Sequence, residues 1–251
     1  MHWKSLFLIS ILLLAVIPDS MAGSVRYSLG GNYTLNTLSL TDLTGTTTTI
    51  SSLTSFNGTA AIDWKFNTGD TYFYVRAYGV YQSTQFDTSL TPGVPEEAVT
   101  SLGLGSEMGV KAWVFKLRGF AQLQDIYLLS QNGNFTFSQT RVSEFGGKLD
   151  LTLINRLDLD VILRAKYANI PATESVLSGS ELGAGVYLEF GNFIRWTFGG
   201  EIINRAYSTS AGSLVSRDFQ IGLSVILFQT APNRTAQINR PTGWTGTDKG
   251  F

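Results

Sequence analysis

The chain has 251 residues, of which 43% are hydrophobic and only 15% charged, with 26 glycines, no cysteine, and 18 basic against 19 acidic groups. Soluble domains carry roughly 25% charged residues, so this sequence is short of the groups that hydrate a globular surface. The balanced charge excludes the clustered basic face that nucleic acid requires, and the missing thiols exclude disulfide frameworks, thiolate metal sites and cysteine nucleophiles.

The sole histidine is His2, in an opening segment that reads as a secretory signal. Lys4 precedes an apolar run over residues 6–17, and small residues stand at Ser20 and Ala22; that order is the basic, apolar and small-residue pattern of a cleaved leader. The run is too short for the roughly 20 residues of a membrane-spanning helix. Cleavage after Ala22 is expected, which divides the chain into a signal peptide over 1–22, a folded body over 23–228 and a tail over 229–251.

From residue 23 onward the hydrophobic pattern has period two, the mark of strands with unlike faces. The first strand sets Tyr27, Leu29, Tyr33 and Leu35 against Arg26, Asn32 and Thr34; the second sets Phe56, Ile62, Trp64 and Phe66 against Asp63 and Lys65. Then come Phe73, Val75 and Tyr81 against Tyr72, Tyr74, Arg76 and Tyr78, and Leu104, Met108 and Val110 against Glu107, Lys111 and Trp113. The fifth alternates Leu117, Ala121 and Leu123 with Arg118 and Gln122; the sixth alternates Phe145, Leu149 and Leu151 with Glu144, Lys148 and Asp150. The seventh opposes Leu159, Leu163 and Tyr167 to Asp158, Asp160, Arg164 and Lys166, and the eighth opposes Leu182, Val186 and Phe190 to Tyr187 and Glu189. The ninth carries Trp196, Phe198 and Ile202 against Arg195, Glu201 and Arg205, and the tenth carries Ile221, Leu223, Val225 and Leu227 on one face.

Short connections, near 67–70, 115–116, 155–156 and 191–192, alternate with longer ones near 41–48, 87–98, 130–134, 168–176 and 208–214. That asymmetry predicts an all-β, closed, antiparallel, up-and-down transmembrane barrel of ten strands, with eight or twelve as the neighbouring possibilities. Charges on the polar face must then line the lumen, and aromatic residues such as Tyr27, Trp64, Phe66, Phe190 and Phe219 form interfacial girdles. No connection is long enough to encode a plug or a large lid.

At this level the chain resembles the bacterial outer-membrane β-barrel class. Its last strand carries the features of the assembly signal of that class, namely Gln220, Gly222, Val225, Leu227 and the aromatic Phe228, although here the chain continues beyond it. The resemblance implies a Gram-negative outer-membrane location, contact with outer-membrane lipid and lipopolysaccharide, and handling by the barrel-assembly machinery.

For the lumen the facing pattern predicts a charge network of Arg26, Lys65, Arg76, Glu107, Lys111, Arg118, Glu144, Lys148, Asp150, Asp158, Asp160, Arg164, Lys166, Glu189, Arg195 and Glu201, with Asp63 and Arg205 on the same face. Its near balance of signs, with bulky tyrosines and Trp113 inside, favours a side-chain-filled interior over an open pore. Enzymatic schemes lack a histidine after cleavage, and Asp158 and Asp160 share their row with Arg164 and Lys166, so ion pairing accounts for them. No catalytic residue, metal site or cofactor is expected. The expected function is a non-enzymatic scaffold, adhesion or partner-binding barrel, and the alternative is a narrow or gated channel for small solutes or ions. In the tail, Trp244 and Phe251 are the apolar anchors that could dock a periplasmic protein or the cell wall.

Overall fold

The computed structural model describes residues 23–68, 71–87, 89, 94, 98–132, 134–155, 159–191 and 194–229. The expected signal peptide, Asp158 and the tail with Trp244 and Phe251 lie outside them.

Ten strands follow one another: β1 (Gly23–Asp42), β2 (Thr47–Thr68), β3 (Thr71–Phe86), β4 (Val99–Ala112), β5 (Phe115–Asn132), β6 (Asn134–Asn155), β7 (Leu159–Ile170), β8 (Ser178–Phe190), β9 (Trp196–Thr209) and β10 (Gly212–Gln229). Each pairs antiparallel with its neighbour in sequence, and β1 pairs with β10, so the sheet closes on itself. The count and the closed up-and-down order are those the alternation predicts. Closure removes every free sheet edge, which a lipid-embedded sheet requires because lipid offers no hydrogen bonds to an open edge.

One end of the barrel holds the start of β1, the end of β10 and the connections at 69–70, 113–114, 156–158 and 191–195; we call it the terminal end. The other, the loop end, holds the connections at 43–46, 87–98, 133, 171–177 and 210–211. Three loop-end segments expected to be long loops are mostly strand instead: β1 and β2 run to Asp42 and Thr47, β5 and β6 to Asn132 and Asn134, and β9 and β10 to Thr209 and Gly212. In the first of these the threonine run over 46–49 is β-branched, and threonine extends a strand readily when one face looks into water.

Across the middle and the terminal end the exterior is apolar and the interior polar. On β1, Tyr27, Leu29, Tyr33 and Leu35 are exposed while Arg26, Asn32, Thr34 and Asn36 point inward. Around the terminal end the exterior carries Trp64, Phe66, Phe73, Phe115, Phe190 and Trp196, and further up it carries Tyr33, Phe56, Tyr81, Phe145, Tyr167 and Phe219. These are two aromatic girdles enclosing an apolar band, the exterior of a membrane-spanning barrel.

Toward the loop end the polarity reverses within single strands. Leu38 and Leu40 of β1 are buried inside, whereas Thr37, Ser39 and Thr41 point outward. On β2 Ile50 points in between Thr49 and Ser51; on β6 Val142 points in between Arg141 and Ser143; on β10 Leu214 points in beside Ser213. The expectation that every polar face looks into the lumen therefore fails here: Asp125, Arg141 and Arg217 are on the exterior. The physical reason is solvent. Strands that leave the bilayer meet water outside, so the interior becomes the apolar side, as in a soluble barrel.

The inward side chains of this protruding part form one apolar core that includes Ile50, Phe86, Ile126, Val142, Ile170 and Leu214, and Phe137 packs on it with its ring 4.8 Å from that of Phe86. Val94 of the β3–β4 connection and Val176 of the β7–β8 connection are buried in the same core. Two modest loops thus each contribute a residue to an apolar closure.

Below the core the lumen is packed by aromatic rings laid over glycines. Tyr74 pairs across strands with Gly109, Tyr78 with Gly105, Phe120 with Gly146 and Tyr187 with Gly199. A Cβ on Gly105 would stand 2.4 Å from the Tyr78 ring, and one on Gly146 2.8 Å from Phe120. Glycine at these sites lets a ring lie flat against the wall, so the space inside is filled rather than left as a pore. Trp113 is not among these fillers. It occupies the β4–β5 turn with φ of 54° and is 78% exposed, because a two-residue turn interrupts the alternation that had placed it inside.

Candidate functional site in the lumen

The inward charges are tied into chains that run from strand to strand. In one, Lys148 (β6) pairs with Glu107 (β4), Arg118 (β5) reaches Glu107 at 3.4 Å and Asp150 (β6) at 2.5 Å, and Arg164 (β7) meets Asp150 at 2.9 Å. In the other, Lys166 (β7) stands 3.1 Å from Glu144 (β6) and pairs with Glu181 (β8), Arg205 (β9) takes Glu181 at 2.5 Å, and Arg205 also binds Asp218 (β10). Asp218 accepts in turn from Asn36 of β1 and, at 3.1 Å, from the Ser216 hydroxyl. Glu144 and Glu181 are completely buried. A carboxylate removed from water loses several kcal/mol of hydration, so such groups persist only with cations beside them.

Nearer the terminal end, Arg76 lies 3.4 Å from Asp63, and Arg195 lies 2.8 Å from Asp160 and 4.0 Å from Glu189. Tyr187 donates to Glu201, and the Arg164 guanidinium sits 4.1 Å from the centre of the Tyr187 ring. Lys65 and Lys111 flank the Tyr72 ring. Thus the described members of the expected network all face the lumen, and most are brought into ion pairs. Among the described residues, three inward charges were not assigned from sequence: Glu181, Asp218 and Lys116. All three obey the alternation of their strands. Lys116 was set aside as a turn residue, yet β5 begins at Phe115 and its alternation carries Lys116 inward.

Between the second charge chain and the apolar core lies a cavity of about 80 Å³, bordered by Asn36, Thr84, Gln124, Arg205, Tyr207 and Ser216. It has room for a few water molecules. The assembly-signal residues lie on β10 along its seam with β1. Gln220 and Gly222 point inward and Val225 and Leu227 outward, with the Asn32 amide filling the space over Gly222. The Phe228 side chain is outside the described ones.

No protein-family model and no curated protein matches the chain. Solved structures that resemble it include the outer-membrane protease OmpT of Escherichia coli, with 11% identity over 82% of this chain and 96% of that one at a TM-score of 0.41. Another is the β domain of the Bordetella autotransporter BrkA, with 10% identity over 82% of this chain and 100% of that one at 0.40. A third is the NanC porin, with 11% identity over 79% of this chain and 98% of that one at 0.36. The membrane-spanning assignment rests on this chain's own closed sheet and apolar exterior.

Proposed function

We propose that the protein is a non-enzymatic barrel of the Gram-negative outer membrane whose lumen is sealed at the loop end, and that it presents its protruding end as a rigid surface for adhesion or partner binding. One observation supports this most: among the described residues an apolar core, with Ile50, Val142 and Leu214 buried in it, stands across the lumen above two chains of paired charges. An apolar constriction excludes ions by dewetting, and this one is a packed core. Most of the lumen carboxylates are engaged by arginine and lysine, and the sequence offers no histidine beyond His2 to move protons near neutral pH.

In this reading the terminal end faces the periplasm and the protruding end faces outward. Its exterior is a hydroxyl ladder: Ser39 and Thr49 stand 3.0 Å apart and Thr41 and Thr47 2.9 Å apart, oxygen to oxygen, across β1 and β2. The test is conductance of the purified barrel in planar bilayers. The expected result is no stable opening, and reproducible single-channel steps would overturn the sealed lumen in favour of a narrow channel. The natural absence of cysteine makes a single cysteine at Thr47 a clean label, expected to react on intact cells.

A further inference from the structure

Through the membrane band β4 and β5 are paired with each other, but above it the wall splits between them. Their ladder ends at Gly103 and Gln124. From there β4 continues to Val99 paired with β3, and β5 continues to Asn132 paired with β6. Across the split the Tyr127 hydroxyl donates to the backbone carbonyl of Thr100. Leu102 is cross-strand from Tyr81 of the upper girdle, and the Asp125–Arg141 pair lies on the exterior beside the split, which therefore opens above the apolar band, toward water.

The split abuts the luminal cavity of about 80 Å³. Val99 and Ser101 on one side of it, and Gln124, Ile126 and Tyr127 on the other, all line that cavity. Members of the apolar core, among them Leu38, Phe86, Tyr207 and Leu214, also border it. The remaining lining is amide and hydroxyl, only partly engaged. Gln82 donates through Nε2 to Thr84 at 3.2 Å and Ser55 at 3.5 Å, while its Oε1 has no partner among the described residues. Gln124 accepts from Gln122 at 2.7 Å through Oε1, while its own Nε2 has none among them. Asn36, buried, donates to Ser216 and Asp218, but its Oδ1 is likewise unpartnered. Charge is balanced here, since Arg205 is paired with Glu181 and Asp218. Polar groups enclosed in this way are normally satisfied by something bound.

We propose that this cavity is a binding site for a small uncharged polyol of about glycerol's size, which enters sideways through the β4–β5 split with Tyr127 as the latch. Each hydroxyl of a polyol both donates and accepts, so one molecule can serve the Gln124 amide nitrogen, the Gln82 and Asn36 carbonyls and the Ser101 hydroxyl. Its carbon chain is accommodated by the apolar part of the lining. An ion would be drawn from water without an unpaired counter-charge to receive it. The route runs beneath the apolar core rather than through it, so conductance and binding fail separately.

The test uses the natural absence of cysteine. Val99→Cys places one thiol in the cavity wall and leaves every polar lining group in place. In the folded, heat-modifiable barrel in neutral detergent, the small neutral reagent methyl methanethiosulfonate should modify it. Glycerol should slow that reaction saturably, with half-maximal protection at about 10 mM or below. Adding Tyr127→Phe should speed modification about threefold or more, as loss of one hydrogen bond implies. Adding Gln124→Leu or Gln82→Leu should weaken protection by about three- to tenfold. Ser39→Ala, on the exterior of β1, should change neither. A thiol that reacts only after unfolding in urea would show that the split is no route and overturn the proposal. A reaction rate that glycerol does not alter would overturn it equally, leaving a cavity for water alone. Equal protection by acetate would overturn the uncharged class, and an unchanged rate in Tyr127→Phe would overturn the latch.

Discussion

One strand can face two solvents, and β1 shows what that does to a sequence. Over residues 27–35 its outward side chains are Tyr and Leu and its inward ones polar; over residues 37–41 the outward ones are Thr and Ser and the inward ones Leu. Both regions belong to one strand, and the register with β10 continues across the change, while that with β2 shifts between Tyr33 and Thr37. What changes is the medium outside. Within the band, lipid forces polar groups inward, where they must find each other as ion pairs; beyond it, water takes the polar groups and the interior closes as an ordinary apolar core. The same barrel is thus held by electrostatics in one region and by burial of apolar surface in the other.

If that division is right, substitutions with the same chemistry should differ by region. The largest loss is expected for Arg118→Ala in the band, because Arg118 is 3% exposed and bridges both Glu107 and Asp150. Two buried carboxylates would lose a shared cation, costing about 3–5 kcal/mol by urea unfolding followed through the gel-mobility shift of the folded barrel. Next comes Leu214→Ala in the protruding core, where loss of a buried leucine side chain costs about 2–4 kcal/mol. Protease sensitivity at the loop end should report that second change without exposing the band. Equal sensitivity of both regions in both variants would show that the barrel unfolds as one unit.

Much of this arrangement can be read in the sequence, because period-two alternation runs through the strands apart from single bulges such as those near Leu53 and Leu153. The number of strands, their antiparallel order and the inward direction of Glu107, Arg118, Asp150 and Arg164 follow from it. Alternation has a period but no sign, however. Leu38 and Leu40 alternate with Thr37 and Ser39 as regularly as Arg26 does with Tyr27, and only the position of the bilayer says which side is which. Pairing is the second thing hidden: Arg205 meets Asp218 within a hairpin, but the chain from Glu144 through Lys166 and Glu181 to Asn36 depends on the stagger of six strands around a closed barrel. Lys116 was legible once Trp113 and Val114 alone were taken as the turn, and the positive φ of Trp113 is what a tight turn demands there.

A smaller effect isolates the role of solvent within one chemistry. Asp125 and Arg141 make the same bidentate contact outside the band that Asp150 and Arg164 make inside it, with 2.7 and 3.1 Å between the paired atoms, but the Arg141 side chain is 61% exposed. Arg141→Gln should therefore cost at most about 1 kcal/mol, and the difference should shrink further in high salt. A loss as large as that of Arg118→Ala would contradict the division between the two regions.

The smallest effect is expected at the tip of the first protruding hairpin. There the Asp42 carboxylate accepts from the Thr44 hydroxyl at 2.6 Å, the Thr44 amide at 2.8 Å and the Thr46 amide at 2.9 Å. These bonds, that from the Thr44 side chain foremost and that from the Thr46 backbone next, hold its pKa below the usual 3.8. A carboxylate whose pKa is lowered by folding contributes order to the turn above the unfolded value, and that contribution disappears as pH falls through the lowered one. Amide exchange at Thr44 and Thr46, compared with another exposed turn such as 210–211, should therefore show selective loss of protection only in strongly acidic solution. In Asp42→Asn the tip should be less protected at neutral pH and lose that acid dependence. Because the turn sits in water at the far end of the apolar core, the rest of the barrel should not respond. A shift in unfolding midpoint accompanying the change at Thr44 would mean that the tip and the core beneath it form a single cooperative unit.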